Sequence, residues 1–214
     1  MKKVVYSMLV VSLALFSCGG EEKKDEKKDE KKEEKQEEVA EKAMWTVDPA
    51  ASTVEWNGYK GDDPTNDAHL GMVSISEGSI VTEGTKITGG NFKIDMNTLK
   101  ETTEGADPTY SEKLIKHLGN EDFFNVASFP VAELNITAAE DKKVMAELMV
   151  LGKSVPVEIP YEINVDGERA SITAEFSVDF TSLGLPGTAL EEGGDPADKI
   201  SDKVNFTVRL AAIK

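Results

Sequence analysis

Few residues in this chain could do chemistry. Its 214 residues hold two histidines and one cysteine. His69 and His117 lack the HxxxH or HExxH spacing that sets two imidazoles on one helical face around zinc. No GxSxG elbow presents a serine nucleophile. The stretch GDDPTND followed by His69 gathers Asp62, Asp63 and Asp67, oxygen ligands suited to a hard cation. It lacks the alternating ligands and closing Glu of an EF-hand, so it reads as a surface loop. His117 falls in the last turn of a short helical pattern, where an imidazole complements the helix dipole. The expectation is a protein without catalytic residues, metal or cofactor.

Cys18 belongs to a different chemistry. MKKVVYSMLVVSLALFSC has two lysines, an apolar run from Val4 to Phe16 and a small residue before the cysteine. This is a secretory signal layout, too short for a membrane span. Leu15 to Cys18 resembles the lipobox of bacterial lipoproteins, in which cleavage precedes a cysteine that receives a lipid. A lone cysteine excludes an intramolecular disulfide, which suits that role. Residues 21–42 follow with eight lysines against eleven acidic residues. Mixed charge without apolar side chains cannot bury enough area to offset ordering entropy, so the tract reads as a tether. The organisation expected is a lipoprotein signal peptide over 1–17, lipidated Cys18 and linker over 18–43, and one domain over 44–214. The protein is then exported and anchored by lipid to the cell envelope, at the outer membrane, on its periplasmic or surface face.

From residue 43 onward the chain has 14 basic and 29 acidic residues. Phosphate binding needs clustered Lys and Arg, so nucleic acid is excluded as a partner. The dominant period there is two. DKVNFTVRLAAI alternates Val204, Phe206, Val208 and Leu210 with polar residues, and ASITAEFSVDF sets Ile172, Ala174, Phe176, Val178 and Phe180 on one face. Similar runs recur at STVEWNGY, GGNFKIDMNTL, PVAELNIT, VMAELMVLG and VPVEIPYEINV, separated by turn signals. The pattern predicts an all-β domain, one antiparallel meander that closes into a barrel of about eight strands. DPTYSEKLIKHLG predicts one short helix that stops at Gly119. A barrel of that size is filled by side chains or holds one small ligand. Parity places Val54, Trp56, Ile94, Met96, Leu134, Leu148, Val157, Ile159, Phe176, Val178, Phe206 and Val208 on faces that share one apolar interior.

HLGNEDFFNVASFPVAEL, residues 117–134, spends three phenylalanines on a connection. Connections normally run over the surface in polar residues, so these aromatics cover something apolar. Together with WTVDPAASTVEW at 45–56, His69 and Gly71 in HLGMVSI, DMNTL at 95–99, ELMVLGKSVPVEIP at 147–160 and DKVNFTVRL at 202–210, this stretch resembles the YceI family, in the family's order and across the domain. The resemblance implies an exported lipocalin-like barrel that holds a polyisoprenoid, isoprenoid quinone or other long-chain amphiphile, with Phe123 and Phe124 over its interior. The partners expected are that apolar ligand, the membrane through the lipid anchor, and a second copy of the chain in a homodimer. The family often has an Arg shortly before the Asp-Phe of a late strand, where this chain has Val178 before Asp179 and Phe180. The alternative is a surface interaction or stress-related module whose barrel is filled.

Overall fold

The computed structural model describes residues 41–190 and 192–214. The signal peptide, Cys18 and nearly all of the linker lie outside the described residues. Nine strands form one antiparallel sheet: β1 (Lys42–Val47), β2 (Thr53–Gly58), β3 (His69–Glu83), β4 (Lys86–Glu101), β5 (Val131–Glu140), β6 (Lys143–Val150), β7 (Lys153–Asp166), β8 (Arg169–Asp179) and β9 (Lys203–Ile213). β1 thus begins two residues ahead of the expected boundary at Met44. One helix, α1 (Pro108–Leu118), lies between β4 and β5.

Nine strands fill eight positions in the barrel. β1 and β2 are one stave broken by a single 3₁₀ turn at Pro49–Ala51, which Asp48 caps by accepting from Ala50 N–H. β1 pairs with the far half of β3, Met44 opposite Val81, and β2 with its near half, Trp56 opposite Gly71. Both also pair with β9, where Trp56 faces Phe206 and Thr46 faces Ile213. From β3 the ladder runs without crossover through β4 to β9 and returns to the first stave, so the sheet has no free ends. That closure leaves no strand unpaired along a whole side, the kind of edge that invites aggregation.

Alternation decides which face is inside. On β7, Val155, Val157, Ile159 and Tyr161 are buried while Ser154, Pro156, Glu158 and Pro160 are exposed. Proline has no N–H to give a ladder, and both prolines sit where β7 has β6 on one side only, because β8 joins it from Tyr161 onward. On β6 the sequence is apolar on both faces, and the structure turns Val144, Ala146 and Val150 fully inward. α1 begins at Asp107, whose carboxylate accepts from Thr109 and Tyr110 N–H, and ends at Gly119 in a right-handed conformation. No residue of α1 is fully buried, so it lies outside the interior, packed against β4.

Candidate functional site

The two ends of the barrel are built differently. At one end, where β1 starts and β9 finishes, Trp45 is 1% exposed and its indole N–H donates to the Thr82 hydroxyl at 2.9 Å. Ile87 N–H, where β4 has run past its ladder with β5, donates to Tyr161 Oη at 2.8 Å across the interior. Ile80, Val144, Ile172 and Leu210 complete a buried floor. Buried polar groups there have partners, as a low-dielectric interior demands.

Above this floor lies a cavity of about 240 Å³ whose wall is almost wholly hydrocarbon. The wall includes Val54 and Trp56 from β2, Ile94 and Met96 from β4, Leu134 from β5, Leu148 from β6, Ile159 from β7, Phe176 and Val178 from β8, and Phe206 and Val208 from β9. Phe176 and Phe206 stack at 5.7 Å between ring centroids. Val157 points inward as parity requires, but with Ala146 and Val155 it belongs to packed core beside the cavity and does not line it. Parity fixes a face and not a depth. Trp56 lies flat over Gly71, where an added Cβ would come within 2.0 Å of the indole. Glycine at 71 is therefore what lets the largest side chain of the wall fit.

The opposite end is covered by side chains and short loops instead of ladders. Leu118, Phe123 and Phe124 line the cavity there. The chain reverses after α1 through hydrogen bonds from Phe124 N–H to Leu118 O and from Asn125 N–H to Asn120 O, with Asn125 in the left-handed region at φ 40°. Asn tolerates that region better than most residues. Phe124 meets Phe180 edge-on at 5.8 Å, and Phe123 meets His117 edge-on at 5.0 Å. Gly187 lies on the Phe123 ring, where a Cβ would fall 2.1 Å from it, and donates its N–H to Asp122 O at 2.8 Å. Phe129 departs from its two neighbours: it is 38% exposed, beside Gly152 in the β6–β7 turn, and off the cavity.

The 180–202 segment is more than the solvated connection that its Gly, Pro and Asp content suggests. Leu185 and Ile200 line the cavity, and Thr188 is buried with its hydroxyl donating to Asp202 Oδ1 at 2.7 Å and lying 3.0 Å from Leu185 O. Lys199 pairs with Asp202, and Lys153 Nζ donates to Leu183 O at 2.8 Å. Sequence reasoning missed Leu185, Thr188 and Ile200 because single side chains in a loop carry no period that would set which way they face. The wall residues Ile172, Ala174 and Val204 carried the alternation that would have found them.

The histidines take structural partners. His69 Nδ1 lies 2.8 Å from Glu101 Oε1, and the Glu101 side chain is 1% exposed. Burial pushes that carboxyl up, but the hydroxyls of Ser111 and Thr103 and the His69 ring outweigh it and hold its pKa below the ordinary carboxylate value. Tyr110 of α1 stacks on His69 at 5.7 Å. Of the aspartates near His69 in sequence, Asp67 pairs with Lys60 at 2.8 Å and Asp63 accepts from Thr65. His117 Nε2 lies 3.2 Å from Asp122 Oδ2 at an exposed position. Among the described residues no group of three His, Cys, Asp or Glu is placed to hold a metal ion.

A closed antiparallel barrel with one helix, floored at one end and enclosing an apolar cavity, is a binding barrel of lipocalin-like build. The model of the YceI-like domain matches residues 45–212, and the chain belongs to that family. YceI-like barrels are known for binding apolar ligands and are generally not enzymes. Among solved structures, the crystal structure of Burkholderia cenocepacia BcnA is similar with a TM-score of 0.59 at 17% identity, covering 77% of this chain and 98% of that one. A mutant CJ YceI protein with a monobromobimane guest structure matches with a TM-score of 0.47 at 16% identity, over 60% of this chain and 73% of that one. No curated protein matches the chain.

Proposed function

We propose that the barrel holds one long-chain apolar molecule, such as a polyisoprenoid or isoprenoid quinone, for carriage or storage in the cell envelope, and that it does so without catalysis. Acylated Cys18 anchors the protein to the membrane, and residues 19–41 tether the domain to it. The observation that carries this reading is the cavity itself: about 240 Å³, floored by partnered side chains, with a hydrocarbon wall. Apolar cavities larger than a methyl group destabilise a fold when empty, so one this size is explained by an occupant. Each buried CH₂ contributes roughly 0.8 kcal/mol before ordering costs, enough for a long tail to bind without an ionic contact. Val178, where related chains often have an Arg nearby, is 2% exposed and on the cavity wall, which fits a ligand held by its tail.

The test is mass spectrometry of an organic extract of the protein purified from its own cells. The expected result is one class of long-chain lipid in near-stoichiometric amount. An extract holding only bulk phospholipid in proportion to contaminating membrane would favour the filled module.

A further inference from the structure

Large apolar side chains that face solvent are gathered at the loop-covered end, the rim. They are Leu70 on β3 (47% exposed), Tyr110 in the first turn of α1 (53%), Phe129 and Val131 at the start of β5, and Leu190 and Ile200 in the 180–202 segment. Apart from these, the described residues include only Met44 and Ile213, both at the floor end, as large exposed apolar side chains. By strand order the six are spread round the rim, from β3 past α1 and β5 to the segment before β9. Scattered apolar residues are ordinary on a surface, but six of the eight gathered at one end of a strongly acidic domain are not. Ile200 belongs to both surfaces, exposed on the rim and lining the cavity.

We propose that this rim is a membrane-docking face, seated on the neutral headgroups of a phospholipid bilayer so that the cavity opens directly into the lipid. The inference rests on the carrier reading above and names its partner. A long hydrocarbon chain leaving the cavity into water exposes every CH₂ it has buried, whereas a rim of apolar side chains pressed against lipid gives a continuous apolar path. A neutral bilayer is favoured over an anionic one because the exposed acids at this end, Asp62, Asp63, Glu104, Asp107, Glu112, Glu121, Asp195 and Asp198 among them, outnumber its exposed lysines, Lys100, Lys113, Lys116, Lys153 and Lys203. The chain before β1 permits the pose. Residues 19–41 span roughly 75 Å when drawn out, against about 40 Å for the height of a barrel whose longest tilted strands have 15 and 16 residues. A domain tethered at its floor end can therefore turn its rim to the membrane that holds its anchor.

Depth-dependent quenching tests this directly. Leu70→Cys, Leu190→Cys and, at the floor end, Met44→Cys are each purified from their own membranes, labelled with an environment-sensitive fluorophore and reconstituted into phosphatidylcholine vesicles with brominated acyl chains. The parent chain, labelled in parallel, reports any free Cys18 thiol and is subtracted. The expected result is quenching several-fold greater at positions 70 and 190 than at 44, reduced when half the lipid is replaced by phosphatidylglycerol. Equal quenching at all three positions, or none, overturns the proposal, as does a concentration-dependent dimer that buries the rim labels without quenching. Quenching at the rim of a barrel whose extract is empty would keep the docking face and sink the carrier reading. A loaded barrel without rim quenching would do the reverse.

Discussion

The floor and the rim of this barrel solve opposite problems with the same strands. At the floor, Trp45 and Tyr161 each carry a polar atom into the interior and each meets a partner, Thr82 Oγ1 and Ile87 N–H. Ladders continue there to the chain's own C-terminal strand, and Lys214 Nζ lies 4.9 Å over the Trp45 ring. At the rim, the cover consists of aromatic contacts and three short 3₁₀ turns between Thr181 and Asp198. Interlocked ladders open only with the whole fold, while a cover of side chains and loops can open locally at smaller free energy. The difference assigns stability to one end and exchange to the other.

Substitutions at the two ends should therefore separate two observables. Trp45→Ala is expected to have the largest effect on folding. It removes a fully buried indole and leaves the Thr82 hydroxyl without its donor, a loss of about 4 kcal/mol by denaturant unfolding. Ligand affinity of the surviving folded fraction should change little, because Trp45 does not line the cavity. Should Trp45→Ala release ligand while leaving the unfolding midpoint in place, the contrast between the ends is wrong. Gly187→Ala should act the other way. Its methyl group collides with the Phe123 ring, so the loop over the cavity must lift, at about 1–2 kcal/mol of stability. The more telling readout is the dissociation rate of a bound prenyl ligand, which should rise several-fold. A rate equal to that of the unchanged protein would show that this loop is not the cover.

The closed barrel was legible because alternation survives in its long strands. β8 and β9 each keep strict inward parity over four or more apolar residues, and their register, Ala174 opposite Val208 and Phe176 opposite Phe206, follows from it. β1 was hard to read as a strand, because KAMWTV brings only Trp45 and Val47 fully inside and follows directly on the charged tract. β3 lost its period for another reason. Its ladder with β4 shifts register between Ile75 and Glu77, where β3 carries an extra residue, and the inward set changes from Gly71, Val73 and Ile75 to Ile80 and Thr82. The break of the first stave into β1 and β2 gives nine strands to eight positions, which depends on one 3₁₀ turn and not on hydrophobic pattern.

The cavity wall was legible to the same extent as the strands, and its cover was not. Phe123 and Phe124 stood out as aromatics in a connection, yet Phe129 carried the same signal and faces solvent. What separates them is the reversal at Asn125, a conformation that sequence marks only weakly. Leu185, Thr188 and Ile200 gave no sign, since a loop residue's burial depends on what it lies against. Glu101 likewise ends a strand in an acidic region, and only the fold brings His69, Thr103 and Ser111 around it.

If the cavity accepts a hydrocarbon chain along its length, Trp56 is placed to report it. Trp56 lines the cavity while Trp45 is sealed in the floor, so a Trp45→Phe background leaves one indole whose fluorescence senses the occupant. Stripped of endogenous lipid, that protein should be titrated with prenyl alcohols and isoprenoid quinones of increasing length. The expected result is a saturable change in Trp56 emission and an affinity that climbs with each added prenyl unit until the cavity is filled, then levels off. Affinity independent of chain length, or no saturable change with any of them in a barrel that still unfolds cooperatively, would contradict it.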